Sequence, residues 1–362
     1  MTRFYRSKNS FVDNISITNT DGGAIEFHGS PGQSHNNTVN NSYFHAIDWS
    51  AADQKGLMVS IYEGGRDMYF TNNTVHLTGA SSVLSIGDAP KAFYNEVWDV
   101  GHLQTDGAVV QVMQGEAPGA EIAYNWIHDV IKYGARFDAP IGQAGEGRNG
   151  TMHHNVIWNA TGGLMVKGDY HDIHNNTVFN STGKNDMIIL TDNGVNNENS
   201  TIHRNAADKM ADHRSDSWSL HPLPSGTYWN NWNGYVNTSD TVSNQLVDPI
   251  NYDFRPKTNS HLDNMSAGAY DADDSDPWTA GVSWTYSPMS APISGCMDSI
   301  AVNYNSNAVF SDGSCIYTTL SSSSSTLSLE VGVSMTPFTL NYNTPFLEDD
   351  KQTAASSGAV GM

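Results

Sequence analysis

The segment His154–Asn180, HNVIWNATGGLMVKGDYHDIHNNTVFN, nearly repeats itself: HNVIWN (154–159) returns 21 residues later as NNTVFN (175–180). Each copy carries an Asn followed two places on by a β-branched residue, Asn155 with Ile157 and Asn176 with Val178. The same pair recurs as Asn37/Val39, Asn73/Val75, Asn95/Val97 and Asn125/Ile127, and Asn205 with Ala207 closes the series. Asn14 fits loosely, because Ser16 stands where Val belongs. The intervals run from 21 to 36 residues. A fixed feature at a period of roughly 20–30 residues marks a stack of equivalent coils.

Three places before the Asn lies an apolar column: Phe70, Ala92, Ile122, Met152, Ile173 and Ile202. Further along each coil comes an alternating run, such as GAIEFHG (23–29), AVVQVMQG (108–115), YGARFDAP (133–140) and GLMVKGDY (163–170). Runs this short, rich in β-branched residues and bounded by Gly and Asn, read as strands. No apolar i, i+3, i+4, i+7 pattern lasts long enough for a substantial helix. Two or three short strands per coil, with one turn always begun by Asn, resemble the right-handed parallel β-helix. The resemblance covers about residues 10–270. It implies like side chains stacked one strand spacing apart, about 4.8 Å. It also implies an inward Asn ladder that tolerates left-handed turn geometry and bonds to the coils above and below. The expected fold is all-β: a parallel β-helix solenoid with an Asn ladder, plus a small disulfide-closed C-terminal module.

Thirty-eight acidic residues against 17 basic ones give a net charge of −21. That excludes nucleic acid as the expected partner, since binding it requires a basic surface. A polyanionic substrate would need a local cationic spot or a divalent ion. No apolar run approaches the length that crosses a membrane. The opening MTRFYRSKNSFVDNISITNT (1–20) has no apolar core of a secretory signal. It enters strand-like sequence without a capping element, and terminal repeats need caps. The chain is therefore expected to begin inside a longer protein or to have been processed.

Residues 1–285 read as the β-helix with a closing segment, LVDPINYDFRPKTNSHLDNMSAGAYDADD (246–274), similar to that of many secreted β-helix proteins. Residues 286–317 form a Cys-bounded module, 318–328 (TTLSSSSSTLS) a flexible Ser-rich linker, and 329–362 the start of a truncated β domain. A disulfide between Cys296 and Cys315 would stabilise its module by roughly 3 kcal/mol. It would also imply an oxidising compartment. GCMDSIAVNYNSNAVFSDGSC (295–315) resembles a short repeat of modular secreted and cell-surface bacterial proteins, so an extracellular or cell-surface location is expected. Asp298, Asn303, Asn305 and Asp312 carry the oxygen ligands that Ca²⁺ takes; the alternative is a hydrogen-bonded loop stapled by the disulfide. Eleven Asn-x-Ser/Thr sequons, among them Asn36, Asn72, Asn159 and Asn175, raise glycosylation. In so Asn-rich a chain many such triplets arise by chance.

Parallel β-helices resembling this one include pectate lyases, chondroitinase B and alginate lyases. These remove the proton α to a uronate carboxylate, with a cation neutralising the carboxylate and a Lys or Arg as base. A base works best with its pKa near the operating pH, and a neighbouring positive charge lowers a Lys toward it. Alternation puts Leu164 and Val166 inward, and Met165 and Lys167 outward. One coil earlier Arg136 and Asp138 point out. The same face continues with Gln111, Tyr62, Glu26 and His28. The lyase reading makes Lys167 the base and Arg136 the neutraliser, with Asp138 or Asp169 positioning them or holding Ca²⁺. The bland alternative is solvated strand ends whose charges merely pair. NTDGG (19–23) looks like the first motif of the polygalacturonases, but hydrolysis needs two placed carboxylates. No second one assembles, so Asp21 reads as a turn residue.

Two further columns stand out. His35, His153, His174 and His203 lie two places before the Asn, with His154 and His171 nearby, and read as a solvent-facing stack. Trp98, His128, Trp158 and Phe179 lie three places after it, a stripe suited to stacking on sugars or to cover by a long loop. Two functions remain open. One is a secreted or surface protein that binds, and as a lyase cleaves, acidic polysaccharide. The other is a non-catalytic filament subunit, adhesin stalk or matrix component, self-assembling or joined to a larger surface protein.

Overall fold

The computed structural model describes residues 1–50, 58–139, 147–191, 197–214, 223, 226–285, 294–308, 310–311, 313–323 and 326–331. Three parallel sheets of nine strands each are wound from successive coils. The first sheet runs from Thr2–Tyr5 to Met210–Ala211, the second from Phe11–Asp13 to Thr227–Trp229, and the third from Ser16–Thr18 to Trp232–Asn233. This is the β-helix that the Asn periodicity implies. Every coil contributes one short strand to each sheet, so the core is a set of columns. On the first sheet Ile25, Ile61, Leu84, Val110, Ala135, Leu164 and Met187 stack in register. On the second the inward column is Val39, Phe70, Ala92, Ile122, Met152, Ile173 and Ile202. All are buried. Alternation works here because a strand turns successive side chains to opposite faces.

The ladder occupies the turn between the second and third sheets. Asn73, Asn95, Asn125, Asn155, Asn176, Asn205 and Asn231 follow one another, and from Asn95 onward each Oδ1 takes bonds from the Asn one coil earlier. Asn125 shows the unit: its backbone N–H and Nδ2 both donate to Asn155 Oδ1, at 3.2 and 2.9 Å. Its Nδ2 also donates to the Ala92 carbonyl at 2.9 Å. Buried amides with every group paired fix one register of the coils.

Three details depart from the sequence reading. Asn37 is not a rung, because Ser42 holds that place and donates its N–H to Asn73 Oδ1 at 2.9 Å. NNTVNNSYF (36–44) offers two candidate turns, and the Asn-x-Val pattern selects the wrong one. Asn37 instead lies buried before the second-sheet strand Thr38–Asn40, donating to Glu63 Oε2 at 3.0 Å and Ser34 Oγ at 3.1 Å. Asn231 extends the ladder beyond Asn205, accepting the Asn205 N–H at 3.0 Å. The pattern passes over it because Asn233, not an apolar residue, stands two places on. Finally, the left-handed residue is the one before the rung: Asn72, Tyr94, Tyr124, His154, Asn175, Arg204 and Asn230 all have φ between 51° and 58°.

The Asn72-Asn73-Thr74 and Asn175-Asn176-Thr177 sequons therefore have a structural cause. The first Asn makes the left-handed turn, the second is the rung, and the Thr opens a third-sheet strand. Each Thr Oγ1 then accepts a backbone N–H from later in the chain, Val282 on Thr74 at 3.0 Å and Ala269 on Thr177 at 2.9 Å.

The closing segment covers the outer face of the third sheet. Leu246–Asp248 pairs antiparallel with Asp253–Pro256. A short helix, His261–Met265, follows, its N-terminus capped by Ser260 Oγ accepting the Asp263 N–H at 3.2 Å. Leu246, Phe254, Leu262 and Tyr270 pack on Trp126, Val156, Trp158, Phe179 and Trp232. Trp126 Nε1 donates to Tyr270 Oη at 3.0 Å. Within the aromatic stripe, Trp158 and Phe179 are thus covered by this segment.

Contacts divide the chain into Met1–Thr285 and Tyr286–Met362. In the second unit Cys296 and Cys315 are joined by a disulfide. Thr318–Ser323 and Thr326–Val331 pair antiparallel across the stretch expected to be a flexible linker. Residues 332–362, most of the expected truncated domain, lie outside the described residues.

Candidate functional site

The cationic candidates do meet on the outer face of the first sheet, where Tyr133–Asp138 lies beside Gly162–Val166. Arg136 Nη2 is 3.1 Å from Asp138 Oδ2, and Lys167 Nζ is 3.8 Å from Asp138 Oδ1. Arg136 Nε donates to Gln111 Oε1 at 2.8 Å, and its guanidinium lies 5.9 Å from the Tyr133 ring centre. One carboxylate thus serves two cations. The side chains of Lys167, Arg136 and Asp138 are only 6%, 12% and 20% exposed. Met165, expected to face solvent, is buried on this face with Ile188 and Leu190, against Tyr133. Outward from the sheet is therefore not open to solvent here.

The other residues read for this face are spread along it. Asp169 points elsewhere: past the turn at Gly168 its Oδ1 accepts the Glu198 N–H at 2.8 Å, and burial raises its pKa. His28 Nε2 lies 2.8 Å from Glu26 Oε2 and its ring centre 5.6 Å from that of Tyr62. Tyr62 and His28 belong to strands three and four places from Arg136 in the sheet, about 14 and 19 Å away at one strand spacing per coil. They share the face with the charge cluster but not its geometry.

In the Cys-bounded module the proposed calcium ligands close turns of their own loop. Asp298 Oδ1 accepts the Ile300 N–H at 3.0 Å and its Oδ2 the Tyr317 hydroxyl at 2.8 Å. Asn303 Oδ1 accepts the Ile316 N–H at 2.7 Å, and Asn305 Oδ1 the Asn307 N–H at 3.1 Å. Asp312 lies outside the described residues. Among the described residues no three His, Cys, Asp or Glu side chains converge as a metal-binding group.

The histidines sort into two populations. His153, His174 and His203 stack ring on ring at 4.9 and 5.0 Å on the second sheet's outer face, and Trp229 continues the pile at 4.0 Å. His35 does not belong to them, because the Asn37 it precedes is not a rung; its backbone forms isolated β-bridges to Lys8 and Arg66 instead. His171 is interior, stacked on Phe137 at 4.7 Å, with Nδ1 accepting the Gly150 N–H at 3.1 Å. A protonated Nδ1 could not accept that bond, and burial holds the His171 pKa down to about 4. A group depressed in the fold contributes stability that is full above its unfolded pKa of 6.5 and lost as pH falls through 4. His171→Asn is therefore expected to flatten the fall in urea stability between about pH 7.5 and about pH 4.5. On the 1.36 kcal/mol per unit scale the effect of this one imidazole is about 3 kcal/mol. Glu116, pushed up to about 7 by burial, and Asp186, raised to about 6, have the opposite sign. Their contributions are lost as pH rises through those values.

Glu116 escaped the sequence reading because QGEAPG (114–119) looks like a plain loop. Its half-buried carboxylate accepts the Met113 N–H at 2.7 Å. Also missed is a half-open cleft of about 220 Å³ at the far edge of the third sheet, between the strand ends at Asp129, Asn159 and Asn180 and the closing segment at Pro249–Tyr252. Its signal was present in the aromatic stripe, but the opposing wall comes from residues about 70 to 120 positions away in sequence. Compared with known proteins, the chain matches no family model, no curated protein and no solved structure.

Proposed function

We propose that this chain is a non-catalytic β-helix module of a secreted or cell-surface protein, serving as a filament, adhesin-stalk or matrix element and not as a polysaccharide lyase. One observation carries the reading: Asp138 is shared by Arg136 and Lys167, all three largely buried. An eliminase needs a cation free to meet the substrate carboxylate and a base that reaches the α-proton. Here engaging an acidic sugar would first require prising both cations from Asp138, in a chain whose net charge of −21 repels polyanions. The disulfide favours an oxidising compartment, and the reading calls on no bound Ca²⁺.

The test is an eliminase assay on alginate, pectate, chondroitin and ulvan, with and without Ca²⁺, following the ultraviolet absorbance of unsaturated uronate. No rise on any of the four is expected from folded protein. A rise that disappears in Lys167→Ala would overturn the proposal and restore Lys167 as the base.

A further inference from the structure

We infer that the cleft at the third-sheet edge is a binding subsite for one neutral, hydroxyl-rich sugar unit. Its polar wall is a column of three left-handed residues, Asp129, Asn159 and Asn180, with φ of 51°, 52° and 56°. All three side chains are exposed. They succeed one another on adjacent coils, so their carboxylate and amide groups repeat at about 4.8 Å. Asn159 Nδ2 donates to Asp129 Oδ1 at 3.0 Å, which orients both heads along the column. Such a column offers both donors and acceptors, the pairing that vicinal hydroxyls use.

The apolar side is built as carefully. His128, Trp158 and Phe179 stack with interplanar angles of 9°, so their ring edges, not their faces, line the floor. Tyr252 crosses that stack nearly at right angles, 73° to His128 and 79° to Trp158, and remains 42% exposed. A C–H-rich sugar face can lie on the exposed Tyr252 ring while its hydroxyls meet the amides. In the floor, His128 Nδ1 is engaged by Asp129 Oδ2 at 2.7 Å, and its buried Nε2 lies 3.7 Å from Glu96 Oε1.

Size and charge narrow the occupant. At about 220 Å³ the cleft falls below the roughly 300–1,000 Å³ typical of sites for drug-sized ligands, which suits one terminal sugar unit and not a threaded chain. Asp129 on the rim and the net charge of −21 disfavour a uronate. The inference is independent of the first-sheet cluster: it concerns a different sheet and a different ligand class.

The experiment is saturation-transfer-difference NMR on the full chain. The probes are the methyl glycosides of glucose, galactose, mannose and N-acetylglucosamine, with methyl glucuronoside as the acidic control. The protein is produced without N-glycosylation, because Asn159 and Asn180 both begin sequons. At least one neutral glycoside should receive saturation and the glucuronoside should not. Asn159→Gly with Asn180→Gly keeps the left-handed backbone but removes the amides, and should weaken binding roughly tenfold, the value of one good hydrogen bond to a partner left unpaired. Ile250→Asp, at a rim position 87% exposed, should weaken it without disturbing the fold. No transfer to any neutral glycoside, or binding unchanged in both variants, would overturn the inference.

Discussion

Asn155→Ala is expected to destabilise the protein by about 4 kcal/mol or more, measured by urea unfolding near neutral pH. The Asn155 side chain is fully buried. Its Oδ1 accepts both the N–H and the Nδ2 of Asn125, and its Nδ2 donates to Asn176 Oδ1 at 2.9 Å and to the Ile122 carbonyl at 2.8 Å. Truncation takes the acceptor from the Asn125 N–H and the donor from the Ile122 carbonyl on the coil before, and weakens the bonding of Asn176 Oδ1 on the coil after; each buried orphan costs about 1–3 kcal/mol. Asn155→Ser should cost less, because the molecule already uses a Ser as a rung: Ser42 donates to Asn73 and accepts the Ile15 N–H at 3.3 Å. A loss under about 1 kcal/mol for the Ala variant would mean that the ladder contributes little.

Asp138→Ala is the second large effect, expected at about 3 kcal/mol. Removing the shared carboxylate leaves Arg136 and Lys167 as two adjacent, mostly buried cations, and breaking a buried pair by deleting one partner typically costs about 3–5 kcal/mol. The partial exposure of Asp138 places the estimate at the low end. Asp169→Ala provides the contrast. That carboxylate holds a backbone N–H at 2.8 Å and touches neither cation, so the cost should be near 1 kcal/mol. Equal losses in the two variants would remove the distinction between cluster and turn.

Much of the fold was legible in the sequence because a β-helix writes its register as a period. The rung Asn and the apolar residues on either side of it face inward on every coil, and stacking demands the same residue type each time. Legibility failed where the physics admits substitutes. A Ser can serve as a rung, so Asn37 was mistaken for Ser42. The closing rung, Asn231, lacks the apolar neighbour that the pattern required. The left-handed position accepts Tyr, His and Arg as well as Asn, so it shows no single letter to follow.

The site was less legible, for a different reason. Alternation correctly put Arg136, Asp138 and Lys167 on one outer face and so within reach of each other. It says nothing of what else lies on that face, and the burial of Met165 and Lys167 there was invisible to it. The cleft and the aromatic cover depend on contacts between coils near residue 158 and a segment near residue 252. No local pattern encodes so distant a meeting.

A double-mutant cycle between Asp138 and Arg136 decides whether the first-sheet cluster is a structural ion cluster. Asp138→Ala, Arg136→Met and the pair are compared with the parent by urea unfolding. A coupling energy of at least about 1 kcal/mol is expected, with the double variant more stable than Asp138→Ala alone. Coupling near zero, with Asp138→Ala as stable as the parent, would show two cations independent of Asp138 and available for chemistry.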